Sequence, residues 1–350
     1  MSPMLDHIIN EAIAAQIFPG AVIQVASGDH LLHAAAYGNT MYADSGSRPV
    51  ALDDIYDLAS LTKMVTATAA LILYDAGELR LERSAAYYLA KLAATEVQVR
   101  HLLSHCSGLD LRLAPLCSGG ATGLRAAVWA AQPVHPPGSI SAYTNINSLL
   151  LGEIVAAIAG MPLDHVLSEL VLQPLAMTRT CFCPAPELKP QIVPTEWDTT
   201  WREMLLHGVV HDESAYALGG VAGHAGLFGP ASDLLHFMRP WLEGGAWQGR
   251  QFLHEATVAL ALQDQLAGII SVGGNMLKGG LGWMLERRNF MGSTPPPGSF
   301  GHTGFTGTAI IGVPSQNLAM VFLSNRTYPQ RTPPPYRHQA VTGEALMAVL

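Results

Sequence analysis

The chain has 350 residues, of which 49% are apolar and only 13% charged, with a formal net charge of −8. Such a chain can bury a large core in one big domain or two lobes, which excludes global disorder. It carries no Lys/Arg run, so a nucleic-acid groove or an anionic membrane surface is not an expected partner. Four cysteines are too few for a disulfide scaffold of this size. Cys181-Phe182-Cys183 has no matching second pair for zinc, so free thiols, buried or half-buried, are expected. No segment reaches the ~20 apolar residues that span a bilayer. The N-terminus lacks the basic and apolar regions of a signal peptide. As written, the chain reads as soluble and cytoplasmic, and as exported if a leader once preceded Met1.

Residues 5–17 read as an amphipathic helix ended by Pro19-Gly20. Ala21–Ala26 and Leu31–Ala36 are apolar runs separated by Ser27-Gly28-Asp29, the pattern of a hairpin. Residues 61–76 repeat apolar and small side chains at helical spacing, and Gly77 stands where a C-cap belongs. From about residue 82 to 265 the pattern is mostly helical. Within it, Leu149, Leu150, Ile154 and Ile158 mark one clear helix that stops at Gly160. Residues 179–217 form a polar, irregular stretch rich in Trp and His, and a loop that long is usually functional. Thr308–Val313 and Leu318–Ser324 read as strands joined by a turn, and a last helix runs from about Arg337 to Val349. Strands at both ends with helices between predict an α/β (α+β) fold with one antiparallel sheet built from both termini and flanked by helices. The expected lobes are 1–80 with 266–350, carrying the sheet, and an inserted all-helical lobe over 81–265.

Ser60 and Lys63 stand at i and i+3 at the head of an apolar helix, so they share a face. A serine in the first turn has an unsatisfied backbone N–H beside the positive end of the helix dipole. Its hydroxyl can attack a carbonyl while that N–H steadies the oxyanion. A lysine buried beside it is a candidate proton acceptor, because burial disfavours its charge. Alone, the pair reads more readily as an N-cap serine with a solvated lysine. Tyr143-Thr144-Asn145 adds a phenol and an amide in a loop after Pro136-Pro137-Gly138. Read alone, it is a packed tyrosine and a capping asparagine. Phe300–Thr308 places three glycines around His302-Thr303 before a β run. That is either a Gly-rich turn or a strand edge that offers backbone groups to an extended substrate.

Ser60-x-x-Lys63, Tyr143-x-Asn145 and His302-Thr303-Gly304, in this order, resemble the three motifs of the serine β-lactamase and penicillin-binding-protein superfamily. The Tyr-x-Asn form resembles its branch of class C β-lactamases, DD-peptidases and esterases. HLLSHCSGL at 101–109 resembles a segment of that branch. Pro194-Thr195-Glu196, Arg202, His211-Asp212-Glu213 and GGVAGHAGLF at 219–228 resemble a bacterial subgroup, penicillin-binding protein 4B-like or β-lactamase-related. The resemblance implies a β-lactamase/DD-peptidase-like fold with the site in a cleft between the lobes. It implies Ser60 as nucleophile, with Lys63 and Tyr143 sharing general-base and general-acid work, the division between them open. Asn145 would orient Lys63 or a substrate amide. His302 and Thr303 would meet the leaving group or a substrate carboxylate. The N–H groups of Ser60 and Phe305, the latter following Gly304, would form the oxyanion hole.

The third motif commonly begins with lysine. A histidine there, with an ordinary pKa near ~6.5, weakens attraction of a β-lactam carboxylate. The resemblance therefore implies an acyl-serine hydrolase acting on D-amino-acid peptides or cell-wall fragments, able to react with penicillins, ahead of a carboxylesterase for small esters. Efficient β-lactamase activity ranks third. A penicillin-recognising binding or sensor module is the non-catalytic rival. The expected partner is a small-molecule or peptide substrate, with no cofactor and no metal; oligomeric state stays open. His207, His211, Asp212, Glu213 and His224 include zinc-ligand types, but Gly208 and the two valines after it argue against one helical face. Arg202 reads either as a substrate-carboxylate anchor or as a structural ion pair. Adjacent Asp53-Asp54 fits a cap or turn better than a glycosidase pair. Gly119–Gly123 lacks the Lys-Ser/Thr of a phosphate loop.

Overall fold

The computed structural model describes residues 3–42 and 46–350. Its centre is a seven-stranded antiparallel sheet. In spatial order the strands are Lys278–Gly279, Met284–Leu285, Phe300–Thr303, Thr308–Val313, Leu318–Ser324, Gly20–Ser27 and His30–Gly38. The two chain ends meet in the middle, where Ile23 pairs with Phe322 and Val25 with Met320. Alternation along these strands splits their side chains between two cores. Val22, Ile310, Val321 and Leu323 join the large core shared with the helix Ala231–Leu242 and the inserted segment. Ala21, Ile23, Ile311, Met320 and Phe322 join the second core, with Leu5 and Ile9 of the first helix and Val341 and Leu346 of the last. A sheet covered on both faces needs apolar residues at consecutive positions, which is why these strands read as continuous runs.

The hairpin, the two C-terminal strands and the final helix Arg337–Val349 lie where the sequence pattern puts them. The first helix is Pro3–Ala14, shorter at its end than expected. Gln16 takes φ +53 and breaks it before Pro19-Gly20 is reached. Thr62–Asp75 is buried around nearly its whole circumference, as a central helix hydrophobic on all sides must be. Gly77 ends the turn that follows with φ +77 and nothing near its Cβ position, so only backbone conformation calls for glycine there.

The middle of the chain is mainly but not wholly helical. It adds short strands: Leu227–Gly229 pairs with Tyr56–Asp57 of the N-terminal segment on one side and with Cys181–Phe182 on the other, and Glu196–Asp198 pairs with Met204–Leu206. These pieces are too short for periodicity to reveal them. The irregular stretch 179–217 runs back to the segment ahead of the serine turn, bridging Ile55 through Ile192 and Asp57 through His211. Cys106 and Cys117 are buried and Cys181 half-buried, as expected, whereas Cys183 is exposed. Among the described residues no single helix is long and apolar enough to cross a membrane.

Candidate active site

Ser60 lies in a single 3₁₀ turn, Ala59–Leu61, that feeds directly into the helix Thr62–Asp75. Ala59 is held at φ +46, a strained conformation for a residue with a side chain. Buried Asp57 secures it: one carboxylate oxygen accepts from Ala59 N at 2.8 Å and the other from His211 N at 2.6 Å. The same turn is tied to the third motif. Thr306 Oγ1 donates to Asp57 O at 2.8 Å, and Thr308 Oγ1 donates to Leu58 O at 3.2 Å. Two segments 249 to 250 residues apart in sequence are thereby locked side by side.

Lys63 follows one turn later and is 1% exposed. Its Nζ donates to Ser60 Oγ at 2.7 Å and to His224 O at 3.2 Å. The expected solvated alternative is thus not adopted. Tyr143 closes over the lysine, with Nζ 5.0 Å from the ring centroid. Its ring also packs on His105 at 4.7 Å and on His302 at 5.6 Å. Asn147 fixes His105, its Nδ2 lying 3.2 Å from the imidazole Nδ1, while Ser107 Oγ donates to Asn147 Oδ1 at 2.5 Å. The segment 101–109 therefore supports Tyr143.

Asn145 opens the helix Asn145–Ala159. Its Nδ2 donates to Asp212 Oδ2 at 3.1 Å, and among the described residues it makes no hydrogen bond to Lys63. Any orientation of Lys63 by Asn145 is therefore indirect. Asp212 also caps the helix Glu213–Ala217, accepting from Ala215 N, Ser214 Oγ and His224 Nε2. Burial pushes the Asp212 carboxyl up, but the His224 imidazole and these hydrogen bonds outweigh it and hold the group well below the usual carboxylate range.

His302 is 1% exposed, and its Nδ1 donates to Thr303 O at 2.8 Å. Burial, then the charge of Lys63 and the proximity of His105, depress its pKa well below the ordinary histidine value. It is therefore a neutral imidazole with Nδ1 protonated, and buried Nε2 keeps a lone pair with no partner among the described residues. Burial likewise lowers His105 to about 3. Gly304 has no room for a side chain: a Cβ would stand 2.0 Å from Thr308 Oγ1 and 2.7 Å from Leu58 O. Phe305 follows with its N–H unengaged among the described residues. The N–H of Ser60 stands in a first helical turn, where no intrahelical acceptor exists.

Ser60, Tyr143, Asn145, Thr303, Gly304 and Phe305 line one cavity of about 440 Å³. His302 lines a larger one of about 1210 Å³ on the other side of Tyr143. The three motifs thus converge on one centre with a nucleophile, a buried amine in contact with it, and two free backbone donors. That constellation can form and break an acyl-serine bond.

A comparison with protein families matches residues 5–343 to the beta-lactamase family. The chain belongs to that family. A relative from Escherichia coli O157:H7, provisionally named D-alanyl-D-alanine carboxypeptidase, is 29% identical over 94% of this chain and 84% of its own length. Among solved structures, EstCE1, a hydrolase with promiscuous acyltransferase activity, superposes with a TM-score of 0.77 at 22% identity, covering 98% of this chain and 97% of its own. A penicillin-binding protein homolog from Caulobacter crescentus gives 0.76 at 19% identity, covering 99% and 96%. Those structures bear out the β-lactamase/penicillin-binding-protein fold.

In this family member, Arg202 is no substrate anchor. Its Nε donates to Asp198 Oδ2 at 2.6 Å and its other nitrogens to Val210 O and His211 O, with both side chains of the pair 3% exposed. His207 donates to Ile192 O, His211 pairs with Glu196 at 2.7 Å, and His224 bridges Ser214 and Asp212. Asp54 pairs with Arg48 and receives Ala51 N in a turn. Sequence reasoning missed Asp57, Arg326, Arg331 and Tyr336. Asp57 adjoins the first motif and a buried-acid reading could have found it; the other three lie in a Pro-rich stretch with no periodic or motif signal.

Proposed function

We propose that this beta-lactamase family member is a serine hydrolase working through an acyl-Ser60 intermediate, with D-amino-acid peptides or cell-wall fragments as substrates. The 2.7 Å contact between buried Lys63 and Ser60 carries the reading, because a solvated lysine would do nothing for the serine. Lys63, in contact with the hydroxyl, takes the Ser60 proton during attack. The N–H groups of Ser60 and Phe305 receive the oxyanion. Tyr143, over the lysine and facing the cavity, passes its proton to the leaving group and regains one from Lys63, which returns the serine proton, and water then releases the acyl group. The relative's name supports the peptide substrate class.

One observation favours a second reading, a carboxylesterase for small esters. With His302 buried and neutral, the third motif offers no cation to a substrate carboxylate. The same fact supports weak rather than efficient β-lactamase activity.

The test is mass spectrometry of the protein after exposure to a fluorescent penicillin and to p-nitrophenyl butyrate, with release of D-alanine from an acyl-D-Ala-D-Ala peptide measured alongside. A Ser60 adduct absent in Ser60→Ala, together with D-alanine release, supports the peptidase reading. Ester turnover without D-alanine release selects the esterase. No adduct and no turnover in folded protein overturns both.

A further inference from the structure

We infer that Arg326 is a positioning residue for the oxyanion site: it fixes the Phe305 peptide and holds an unpaired positive charge behind it. The inference rests on the acyl-serine reading above.

Arg326 follows the strand Leu318–Ser324 and is 5% exposed. Its Nε donates to Phe305 O at 2.7 Å. The guanidinium carbon sits 4.3 Å from the ring centroids of both Phe305 and Tyr336, which meet at 82° and form a corner around it. Nη1 and Nη2 are buried with no hydrogen-bond partner among the described residues. The turn of Phe305 leans on the same residue, since a Cβ on Gly307 would stand 3.0 Å from Arg326 Cγ.

Its neighbour behaves differently. Arg331 also lines the cavity but is committed to Glu196 at 2.6 Å and Glu213 at 2.7 Å. Among the described residues no carboxylate pairs with Arg326. Burial lowers its pKa only to about 10, so it stays charged at neutral pH. An unpaired buried cation weakens the fold unless something compensates it. Two aromatic faces supply part of that compensation. The resting fold bears the rest, and a negative charge that forms during the reaction is the partner the cation lacks. By covalent geometry Nε lies within ~7 Å of the Phe305 nitrogen. An oxyanion on that N–H is then within about 10 Å of the guanidinium, worth a factor of about 10 to 30 in rate at an effective dielectric near 20.

The test compares the full-length wild type with R326Q and R326K. Three quantities are read: kcat and KM for p-nitrophenyl butyrate, affinity for 3-aminophenylboronic acid, which traps a serine as a tetrahedral anion, and folding by circular dichroism. R326Q is expected to lower kcat about 10- to 30-fold with KM within about threefold, and to weaken boronate binding by the same factor. R326K keeps the charge but not the fixed Nε bond, so its loss is expected to be about 3- to 10-fold. Unchanged kcat in folded R326Q overturns the inference. So does a rise in KM alone, which would make Arg326 an anchor for a substrate anion, and so does a lysine variant no better than glutamine. Should R326Q fail to fold, R326K decides on the same readouts, unchanged kcat and boronate affinity being the refuting result. Absent wild-type turnover overturns the acyl-serine reading together with this inference; normal turnover with an unaffected R326Q overturns this inference alone.

Discussion

The seat of Gly304 against the serine turn leaves no room for a side chain, and a single methyl group tests it. In Gly304→Ala the new Cβ would lie 2.0 Å from Thr308 Oγ1, 2.7 Å from Leu58 O and 3.3 Å from Ala59 Cβ. Ordinary contact begins at 3.4 Å, so Leu58 O alone must retreat by about 0.7 Å, from 2.7 to 3.4 Å. Leu58 and Ala59 carry Ser60, and Phe305 follows Gly304, so the retreat widens the gap between the two oxyanion donors. Overpacking of this kind costs about 1–3 kcal/mol of stability. A misplacement near 1 Å costs on the order of 10²-fold in rate, so kcat is expected to fall about 10- to 100-fold. The double variant Gly304→Ala/Thr308→Ala removes the 2.0 Å clash but leaves Leu58 O in the way. It is expected to regain part of the lost stability and little of the activity. Urea denaturation and steady-state ester hydrolysis measure the two effects. Gly304→Ala with kcat within threefold of wild type would refute the claim that this contact sets the oxyanion geometry.

Lys63→Met is expected to lower the acylation rate by about 10²- to 10⁴-fold while leaving the protein folded, since Lys63 makes no salt bridge among the described residues; normal acylation in stopped-flow assays would count against its role as proton acceptor. Arg202→Ala leaves Asp198 buried without its ion pair, so stability should drop by about 3–5 kcal/mol. KM for charged and neutral substrates should change alike, and a selective rise for carboxylate-bearing substrates would restore the anchor reading. Acid should destabilise the protein early. His302 lies well below its ordinary pKa and His338 at about 3, both from burial first, so the unfolded chain binds protons that the folded one refuses. Their contribution is complete above pH ~6.5 and is lost as pH falls below it, each group adding up to about 1.4 kcal/mol per pH unit. Urea midpoints between pH 7.5 and 4.5 should show that slope, and His338→Gln should make it shallower; equal slopes would mean that His338 is protonated in the fold.

The sequence was legible where pattern and burial coincide. Ala21–Ala26, Thr308–Val313 and Leu318–Ser324 are apolar at most positions because both faces of the sheet are covered. The first motif could be placed because Ser60 and Lys63 are one helical turn apart, and helical spacing alone makes them neighbours. Asn145 was placed in the site but not with its partner. Asp212 lies 67 residues later, on a five-residue helix inside an irregular stretch, and no local pattern connects the two. The strained turn at Ala59 was equally hidden, because alanine gives no sign of positive φ; the restraint comes from Asp57, His211, Thr306 and Thr308, three of them more than 150 residues away.

What that dispersion builds is a particular division of charge. On one side of Tyr143 the walls include imidazoles kept neutral by burial, His105 and His302. On the other, behind Phe305, stand two guanidiniums, one neutralised by Glu196 and Glu213 and one not. A positive charge without a permanent partner is thereby set behind the backbone donor that would receive an oxyanion. A site arranged in this way draws little on the ground-state charge of its substrate and more on charge that develops during acyl transfer, the distribution that raises kcat rather than lowering KM. It also explains how the peptidase and esterase readings share one geometry. They differ in the leaving group, while the groups around Ser60, Lys63 and Phe305 serve the same tetrahedral step in both.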